Sequence, residues 1–301
     1  MSNTKTVVNC YELLALSQSE IDDYTEGMYE GNPSRPYHNA QKCQVNYLLD
    51  EIGCKVESVI LDIGCGNSTL LEAVRERGAV GIGITLSPAQ VAYGHSKGLD
   101  VRLLNYKDIG DEWTAKFDGV VANGSMEHFV QVKDALEGRQ DDIYENMFRI
   151  CREILKEGGL FTTTVIHIGS VDINPRELLK HPLLHGWGSS AFHYGLLTRS
   201  FGGFYPQIGQ LKKCAKIFFE LIKEVDGTED YRLTSESWIT MTNKSLRSNV
   251  PYLLKIFGRF LRHPYHTALF GLSLLIAKSW NWQFRGSSPP MRLVRQTWVR
   301  K

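Results

Sequence analysis

The chain has 301 residues, of which 43% are hydrophobic and 22% are charged. This composition is typical of a globular protein with a sizeable core and excludes a disordered or fibrous chain. The six cysteines form no CxxC pair, which excludes a disulfide-rich scaffold and favours reduced thiols with no metal site. No apolar run approaches the roughly 20 residues of a membrane span, and no signal-peptide pattern opens the chain, so we expect a cytoplasmic protein.

The net charge of +1 conceals a division of charge along the chain. Residues 237–301 contain eleven Lys and Arg but no Asp or Glu, so residues 1–236 carry a net charge of −10. A basic C-terminal part indicates contact with something anionic. Phospholipid headgroups, nucleic acid and an acidic substrate all satisfy this requirement.

The first 56 residues predict a mostly helical segment. Apolar residues have helical spacing over residues 12–16 and 43–52, and the turn-rich piece 26–33 separates the two. This segment precedes the first predicted core strand. It is therefore either a cap over a ligand site or an arm that packs on the core.

An apolar run at residues 59–63 includes Asp62 and breaks into the turn Gly64-Cys65-Gly66. A helical pattern over residues 68–77 follows. The pattern predicts a buried strand that delivers a glycine turn to a helix N-terminus, where free N–H groups face a ligand. Glycine lets the backbone approach that ligand without a Cβ. By itself the pattern fits either a nucleotide-type site or a tight turn between strand and helix.

Strands and helices then alternate as far as residue 166. Apolar and β-branched runs predict strands at residues 58–63, 79–84, 100–104, 117–122 and 160–166. Helices are predicted at residues 68–77, from Ser87 with Pro88 in the first turn, and at residues 141–155, where Gly158 and Gly159 stop the last one. This alternation indicates a doubly wound α/β sheet, in which ligands bind at the carboxyl ends of the strands.

The remainder of the chain is predicted to leave this sheet and return to it. Residues 171–209 are predicted to be irregular, and their aromatic content favours an insertion over a linker. A short helix at 210–217, a strand at 218–225, a helix at 231–248 and a last strand at 291–299 follow. We therefore divide the chain into a helical cap at 1–56, a core at 57–170, an insertion with its return at 171–236, and a basic C-terminal region at 237–301.

Residues 251–263 predict a basic amphipathic helix. Its apolar face is predicted to contain Leu253, Ile256, Phe257, Phe260 and Leu261, and the other faces Lys255, Arg259 and Arg262. Helices of this type lie in the interface of a bilayer, where Trp280 and Trp282 would suit the headgroup boundary. A core helix with a solvated basic face is an equal alternative.

The strand-end segments together resemble the class I S-adenosylmethionine-dependent methyltransferases, most closely the branch of the cyclopropane-fatty-acid synthases. The matching segments are residues 40–42, 61–66, 83–90, 105–108, 125–129, 168–170 and 230–234, with Trp238. The resemblance implies a Rossmann-like fold with a seven-stranded, mostly parallel sheet, in which residues 291–299 form the final antiparallel strand.

The resemblance also implies the residues that bind S-adenosylmethionine. They are Asp62, Gly64, Cys65, Gly66, Thr85, Leu86, Gln90 and Tyr106. Asp62 would lie near the ammonium group, and the glycine turn would approach the amino-acid tail. Gln90 would replace the carboxylate that grips the ribose in many such sites, since an amide both donates and accepts. Tyr106 would lie against the adenine. The alternative is that Gln90 and Tyr106 are ordinary surface residues.

For catalysis, the resemblance implies that Glu127 and Tyr231 hold a bicarbonate, with a backbone contact from Ile168. Two features depart from the family. Ile166 stands where the family has a histidine, with His167 one place out of register, and the N-terminal Tyr-Ser-Cys-Ala-Tyr-type motif is missing. Cyclopropanation assisted by bicarbonate and plain methylation therefore both remain open.

We therefore expect a methyltransferase that acts on a hydrophobic, lipid-like or unsaturated acceptor, at an anionic membrane surface. A soluble small-molecule acceptor and a non-catalytic membrane-surface protein are the alternatives. No nucleic acid is expected as a partner, because the basic residues of the C-terminal region are interleaved with apolar ones. An NAD-dependent enzyme fits poorly, since Thr69 stands where a third glycine would be. The sequence leaves the oligomeric state open.

Overall fold

The computed structural model of the protein describes residues 24–301 and six positions of the N-terminal segment. Those positions are Thr6, Val8, Cys10, Glu12, Leu13 and Leu16. The helix predicted over residues 12–16 falls partly outside the described residues. The second predicted helix of this segment, at 43–52, is part of a longer helix, α1 (Tyr37–Glu51).

A seven-stranded sheet organises the chain. Its strands are β1 (Val59–Ile63), β2 (Val80–Thr85), β3 (Asp100–Leu103), β4 (Phe117–Asn123), β5 (Leu155–Ile168), β6 (Phe219–Asp226) and β7 (Met291–Arg300). The spatial order is β3-β2-β1-β4-β5-β7-β6. Strands β1 to β5 are parallel, and β7 lies antiparallel between β5 and β6. The predicted fold class is confirmed, including the antiparallel last strand.

Helices connect the parallel strands and cover both faces of the sheet. They are α2 (Thr69–Glu76), α3 (Pro88–Ser96), α4 (Val132–Leu136) and α5 (Gln140–Ile154). Helix α3 begins as predicted, because the Ser87 side chain accepts a hydrogen bond from the Gln90 N–H and Pro88 occupies the first turn. Helices α2 and α3 each start a few residues after a strand ends, which places their N-termini at one edge of the sheet.

The junction between α5 and β5 differs from the prediction. The helix ends at Ile154 and the strand begins at Leu155, so the two glycines lie inside the strand. Gly158 has φ +69°, and the register with β4 shifts at this point. The pair was predicted to stop the helix because glycine often does so. Here it accommodates a bulge in the strand instead.

The stretch predicted as irregular, residues 171–209, contains a helix, α6 (Ser190–Phe201). Ser189 caps it by accepting a hydrogen bond from the Phe192 N–H at 3.2 Å. Four of its apolar side chains are buried: Phe192, Tyr194, Leu196 and Leu197. The expectation of irregular structure was wrong because glycine and histidine in this stretch obscured the helical spacing of these residues. A second helix, α7 (Gln210–Ala215), precedes β6.

A helical region separates β6 from β7. It comprises α8 (Thr228–Ser248), α9 (Val250–Arg262), α10 (Pro264–Gly271), a π-helical turn (Leu272–Ile276) and α11 (Ser279–Trp282). The predicted helix at 231–248 is confirmed, with a start three residues earlier. Over the described ranges, no helix combines the length and the apolar character that crossing a bilayer requires.

Buried polar contacts attach the N-terminal segment to this core. Arg295 of β7 is completely buried, donates to Gln44 at 2.7 Å and forms an ion pair with Asp230 at 2.8 Å. The Asp230 carboxylate also accepts from the Tyr29 N–H at 2.8 Å. The Gly27 N–H in turn donates to the Thr234 hydroxyl at 2.9 Å. Residues 27–29 are therefore fixed to α8 and β7.

Candidate active site

A cavity of about 350 Å³ opens at the carboxyl ends of β1, β2 and β4. Six of the predicted cofactor residues line it: Gly64, Gly66, Thr85, Leu86, Gln90 and Tyr106. Other wall residues include Val8, Ile63, Asn105, Lys107, Ser125, His128, Phe129, Gln131 and Asp134. Val8 belongs to the N-terminal segment, so part of that segment forms a wall of this cavity.

The turn after β1 requires glycine for two separate reasons. Gly64 has φ +83° and Gly66 has φ +52°, values that a β-branched residue adopts only with strain. A Cβ on Gly64 would also lie 2.5 Å from the Cβ of Ser125. Ser125 is held at that distance because its hydroxyl donates to the Ile63 carbonyl at 2.7 Å. The ends of β1 and β4 therefore meet closely enough to form one continuous wall.

The end of β2 presents a hydroxyl and an amide but no carboxylate. The Thr85 hydroxyl donates to Gln90 Oε1 at 2.5 Å and accepts from the Ser87 N–H at 3.2 Å. This contact fixes the carbonyl of the Gln90 amide toward β2. The amide of a half-buried side chain is thus oriented at the cavity wall, which suits recognition of a diol.

An aromatic pair forms another part of the wall. The rings of Tyr106 and Phe129 stack with centroids 4.3 Å apart and an interplanar angle of 22°. Tyr106 is buried, and this burial raises the pKa of its phenol well above the ordinary value, so the group stays neutral. Its hydroxyl has no hydrogen-bond partner among the described residues. A flat apolar surface with one polar atom suits a heteroaromatic ring.

Two predicted cofactor residues lie outside the cavity wall. Asp62 is buried within β1, two residues before Gly64. Cys65 packs with Leu71 and Val101 in a small apolar cluster. Its Sγ lies close to Gly83 of β2, since a Cβ added to Gly83 would be only 2.7 Å from it. The Cys65 side chain therefore lies behind the glycine turn. A role for either residue in binding the cofactor stays a prediction.

Several wall residues were not among the predicted site residues. His128 and Phe129 belong to the segment 125–129, which carried the resemblance, so a signal for them existed. Gln131 and Asp134 form a capping box at the start of α4, and the Gln131 N–H donates to the Asp134 carboxylate at 2.9 Å. The capping box is a recognisable sequence pattern, but nothing in the sequence indicates that its residues line a cavity.

Glu127 lies between two wall residues, in a short 3₁₀ turn (Met126–His128) after β4. It is buried, and Oε1 accepts a hydrogen bond from the Ile166 N–H at 2.7 Å. Oε2 is also buried and has no hydrogen-bond partner in the described part of the chain. Burial raises the pKa of this carboxyl to about 8, and the nearby Glu26 adds to the shift. Glu127 is thus neutral over much of the physiological range.

Tyr231, the other predicted catalytic residue, projects from the first turn of α8. Its ring packs against Phe284 at 4.6 Å and Trp238 at 5.7 Å, and it lies outside the cavity wall. A backbone contact from Ile168 to a ligand was expected, and the Ile168 N–H donates to the Pro206 carbonyl at 2.8 Å. The catalytic roles of Glu127 and Tyr231 therefore stay predictions.

The two histidines near the site are neutral, and His167 is buried whereas His128 is half-buried. His128 lines the cavity, and its burial lowers its pKa to about 4. His167 also has a pKa lowered to about 4 by burial, and its Nδ1 lies 3.0 Å from the Val165 carbonyl. The charged groups nearest to His167 include Glu224 and Lys212, on β6 and α7. His167 is therefore enclosed in the sheet rather than presented to the cavity.

A second, smaller pocket of about 70 Å³ lies between the N-terminal segment and the C-terminal helices. Its lining is mostly apolar and consists of Leu13, Tyr24, Thr242, Leu246, Tyr252, Ile256, Thr267, Phe270, Gly271, Leu274 and Leu275. Helix α9 supplies two of these residues from its inner face. A pocket of this composition accommodates part of a hydrocarbon chain.

The sheet order, the antiparallel β7 and the cavity at the ends of β1 and β2 define the Rossmann-like methyltransferase fold. A family model described as mycolic acid cyclopropane synthetase matches residues 9–263. The chain belongs to this family.

The relatives of the chain are consistent with this assignment. Cyclopropane mycolic acid synthase 2 of Mycobacterium leprae is 26% identical over 192 residues, which cover 61% of this chain and 60% of that protein. A cyclopropane synthase from Mycobacterium tuberculosis has a TM-score of 0.72 at 18% identity over 98% of both chains. Geranyl diphosphate C-methyltransferase from Streptomyces coelicolor has a TM-score of 0.63 at 17% identity, covering 100% of this chain and 99% of that one. The chain spans about 60% of the length of the Mycobacterium leprae relative.

Proposed function

We propose that the protein is an S-adenosylmethionine-dependent methyltransferase whose acceptor is hydrophobic and lipid-like. The cavity at the strand ends is the observation that carries this proposal, because it gathers the glycine turn, Gln90 and the Tyr106 stack around one space. These features are distant in sequence but meet at one edge of the sheet. The family membership and the S-adenosyl-L-homocysteine bound in the Streptomyces neighbour support the same cofactor.

The residues present fit this cofactor. Gly64 and Gly66 present backbone without side chains in the cavity wall, the Gln90 amide suits a ribose diol, and Tyr106 with Phe129 offers a surface for adenine. When bound, S-adenosylmethionine supplies a methyl group already activated by its sulfonium. The protein therefore needs mainly to position the acceptor and exclude water.

The hydrophobic acceptor is supported by the small apolar pocket beside α9 and by the substrates after which two relatives are named. Those relatives are named for mycolic acid cyclopropanation and for methylation of geranyl diphosphate, and each of these molecules contains an apolar chain. We propose that part of an apolar chain occupies the 70 Å³ pocket. Phe270 and Leu274, in the wall of that pocket, would contact the chain.

An unsaturated acceptor needs a base after methyl transfer. The alkene gains a methyl group and becomes a carbocation, which loses a proton either to close a cyclopropane or to leave a methylated alkene. We assign the receipt of this proton to Glu127, because its Oε2 is buried without a described partner and its pKa of about 8 makes it basic for a carboxylate. Tyr231 is proposed as the second catalytic residue.

Bicarbonate is proposed as an additional ligand of the Glu127 carboxyl. The buried, unpartnered Oε2 fits it, since the neutral Glu127 carboxyl can donate a hydrogen bond to a bicarbonate oxygen. When bound, bicarbonate would supply a further base for the same proton. Activity that is unchanged in carbonate-free buffer and on adding bicarbonate would remove this ligand from the proposal.

The acceptor is further proposed to be reached at an anionic membrane surface, with the protein peripheral to the bilayer. The excess of basic residues in 237–301 supports this location.

The proposed activity is tested with labelled S-adenosylmethionine and fractionated cell lipids. Mass spectrometry should find label in an apolar fraction. A gain of one CH2 with loss of the double bond means cyclopropanation, and retention of the double bond means C-methylation. Label confined to a heteroatom of a water-soluble product would overturn the lipid-like acceptor. Calorimetry that shows no cofactor binding below the millimolar range would overturn the methyltransferase itself.

A further inference from the structure

Helix α9 turns large apolar side chains toward solvent. The exposed fractions are 40% for Leu253, 66% for Leu254, 59% for Phe257, 42% for Phe260 and 66% for Leu261. Single exposed apolar residues are ordinary on protein surfaces, but five on one helix of 13 residues are not. The alternative of a core helix with a solvated basic face is therefore wrong, because a core helix would bury these residues.

The inner face of α9 is attached to the protein by different residues. Tyr252 is buried, and Ile256 packs against the main core. Arg259 forms an ion pair with Glu12 at 3.0 Å, beneath the helix. Ile256 and Arg259 were predicted on the apolar and polar faces respectively, and both instead point inward. This attachment holds the exposed apolar residues outward on a fixed element.

A second exposed apolar group lies on the loop between β5 and α6. Its members are Leu179, Leu183, Leu184 and Trp187, with exposed fractions of 63%, 57%, 75% and 68%. His181 of this loop contacts the hydroxyl of Tyr265 at 3.0 Å, three residues after α9 ends. Arg199 also holds the loop by donating to the Leu179 and Lys180 carbonyls. The loop is therefore held beside the residues that follow the C-terminal end of α9.

The charged side chains of α9 itself are all positive. Lys255 and Arg262 are exposed on α9, and neither forms an ion pair with a described residue. No acidic residue occurs anywhere in residues 237–301. On the loop, Glu177 is already paired with Lys180 at 3.2 Å. An apolar surface flanked by free cations is complementary to hydrocarbon beneath anionic headgroups.

We propose that this docking face, formed by the outer face of α9 and the 179–187 loop, binds an anionic phospholipid bilayer. The inference deepens the proposed function, on which it rests for a lipid-like acceptor. A second copy of the chain is a poorer occupant, because two-fold pairing places the same patch on itself and would bring the Lys255 and Arg262 charges of both copies together. Ile256 and Tyr252 line the apolar pocket from the inner side of the same helix, so α9 would lie between the bilayer and that pocket.

Flotation with vesicles tests the proposal on the full-length protein. Wild type should float with vesicles that contain about one-third phosphatidylglycerol and should bind at least tenfold more weakly to pure phosphatidylcholine. Leu254→Glu and Phe257→Glu should each lower the affinity for anionic vesicles at least tenfold. Ile217→Glu is the matched control, since Ile217 is 71% exposed just before β6, away from this face, and should bind as wild type.

Three outcomes would overturn the docking face. They are failure of wild type to bind anionic vesicles, equal losses in Ile217→Glu and Leu254→Glu, and a lipid-free dimer that Leu254→Glu dissociates. Calorimetric titration with S-adenosylmethionine accompanies every variant. If wild type binds the cofactor but not anionic vesicles, the docking face is refuted and the proposed methyltransferase is not. Vesicle binding without cofactor binding defeats the proposed methyltransferase.

Discussion

The proposed cofactor cavity and the proposed docking face both combine apolar and polar side chains, but they differ in how the structure builds them. The cavity is concave, and the segments that follow β1, β2, β3 and β4 supply most of its wall from distant sequence positions. The docking face is convex and is formed mainly by one helix of 13 residues. The contrast shows that a site assembled from distant segments can be easier to predict than the orientation of one helix. Several strand-end segments together resemble a known family, whereas an amphipathic pattern alone fits more than one environment.

The largest expected effect is on the free energy of unfolding, and it distinguishes the buried Trp280 from the exposed Trp187. Trp280 is 7% exposed and packs against Trp238 at 4.5 Å and Phe201 at 4.9 Å. Trp280→Ala should therefore lower the free energy of unfolding by about 3–5 kcal/mol in urea titrations. Trp187→Ala, at a residue 68% exposed, should change it by less than about 0.5 kcal/mol.

Vesicle binding should show the opposite order for the same two residues. Trp187→Ala should weaken flotation with anionic vesicles, and Trp280→Phe, which keeps an aromatic ring in the core, should leave it unchanged. The sequence predicted Trp280 and Trp282 at a headgroup boundary. The structure contradicts this, since Trp280 is buried and Trp282 stacks on His193 at 4.6 Å. Equal stability losses at Trp187 and Trp280 would contradict the assignment of one to the surface and the other to the core.

The second expected effect concerns the glycine turn. Gly66→Val should weaken S-adenosylmethionine binding at least 100-fold, because it fills the wall of the cavity and strains a backbone with φ +52°. Gly98→Val is the matched control. Gly98 has φ +72° with open space where a Cβ would lie, and it is outside the cavity wall, so the variant carries similar strain and should bind normally. Isothermal titration measures both affinities, and a normal affinity for Gly66→Val would refute the placement of the site.

The third effect is a pH dependence set by Glu127. Its pKa is about 8 in the folded protein and 4.5 in the unfolded chain, so the folded state holds the extra proton between these values. Stability should therefore fall as pH rises from 4.5 to 8, by up to about 1.4 kcal/mol per pH unit, and Glu127→Gln should remove this slope. Urea unfolding of wild type and Glu127→Gln across this pH range measures the difference between their stabilities. Contributions from His128 and His167 cancel in this difference, because both proteins contain these histidines.

Activity should respond to the same proton in the opposite sense. A base must be ionised, so the rate of methyl transfer should rise with pH and level off above about 8, and Glu127→Gln should lower it about 10²–10⁴-fold. A flat pH profile in wild type, or full activity in Glu127→Gln, would remove Glu127 from the mechanism. Cofactor affinity in that variant should stay within about threefold of wild type, because Glu127 is not in the cavity wall.

The smallest effect tests the polar pair after β2. Thr85→Val removes the hydroxyl that donates to Gln90 at 2.5 Å, so the amide loses one constraint on its orientation. We expect cofactor affinity to fall less than tenfold, about 1 kcal/mol, in the same titration. Gln90→Leu should cost more, because it removes the ribose contact itself. A larger loss of cofactor affinity for Thr85→Val than for Gln90→Leu would indicate that Thr85 contacts the ribose and that Gln90 only supports it.

The sheet could be predicted from sequence because its strands and turns depend on local rules, whereas the six wall residues were predicted from the resemblance to a known family. Glycine spacing, the Ser87 cap and buried β-branched runs specify β1, β2 and their turns without knowledge of the rest. The orientation of α9 could not be predicted in this way. Its apolar residues are visible in the sequence, but whether they face the core depends on what Tyr252 and Arg259 meet on the inner side.

The burial of Trp280 was missed for the same reason. The side chain of Trp280 has several partners, among them Phe201 at the end of α6, that are distant in sequence. From the composition of this region alone, Trp280 was predicted to lie at the headgroup boundary of a bilayer. Long-range packing decided between two environments that suit tryptophan equally well.

The contacts of Arg295 impose an order on the synthesis of the protein. Its guanidinium reaches the Gly27 carbonyl across 268 positions of sequence, and it pairs with Asp230, which holds the Tyr29 N–H. The N-terminal segment leaves the ribosome first but cannot make these contacts until the last strand has emerged. A chain released a few residues too early, before position 295, would lack this anchor, even though the glycine turn and β2 would already be complete.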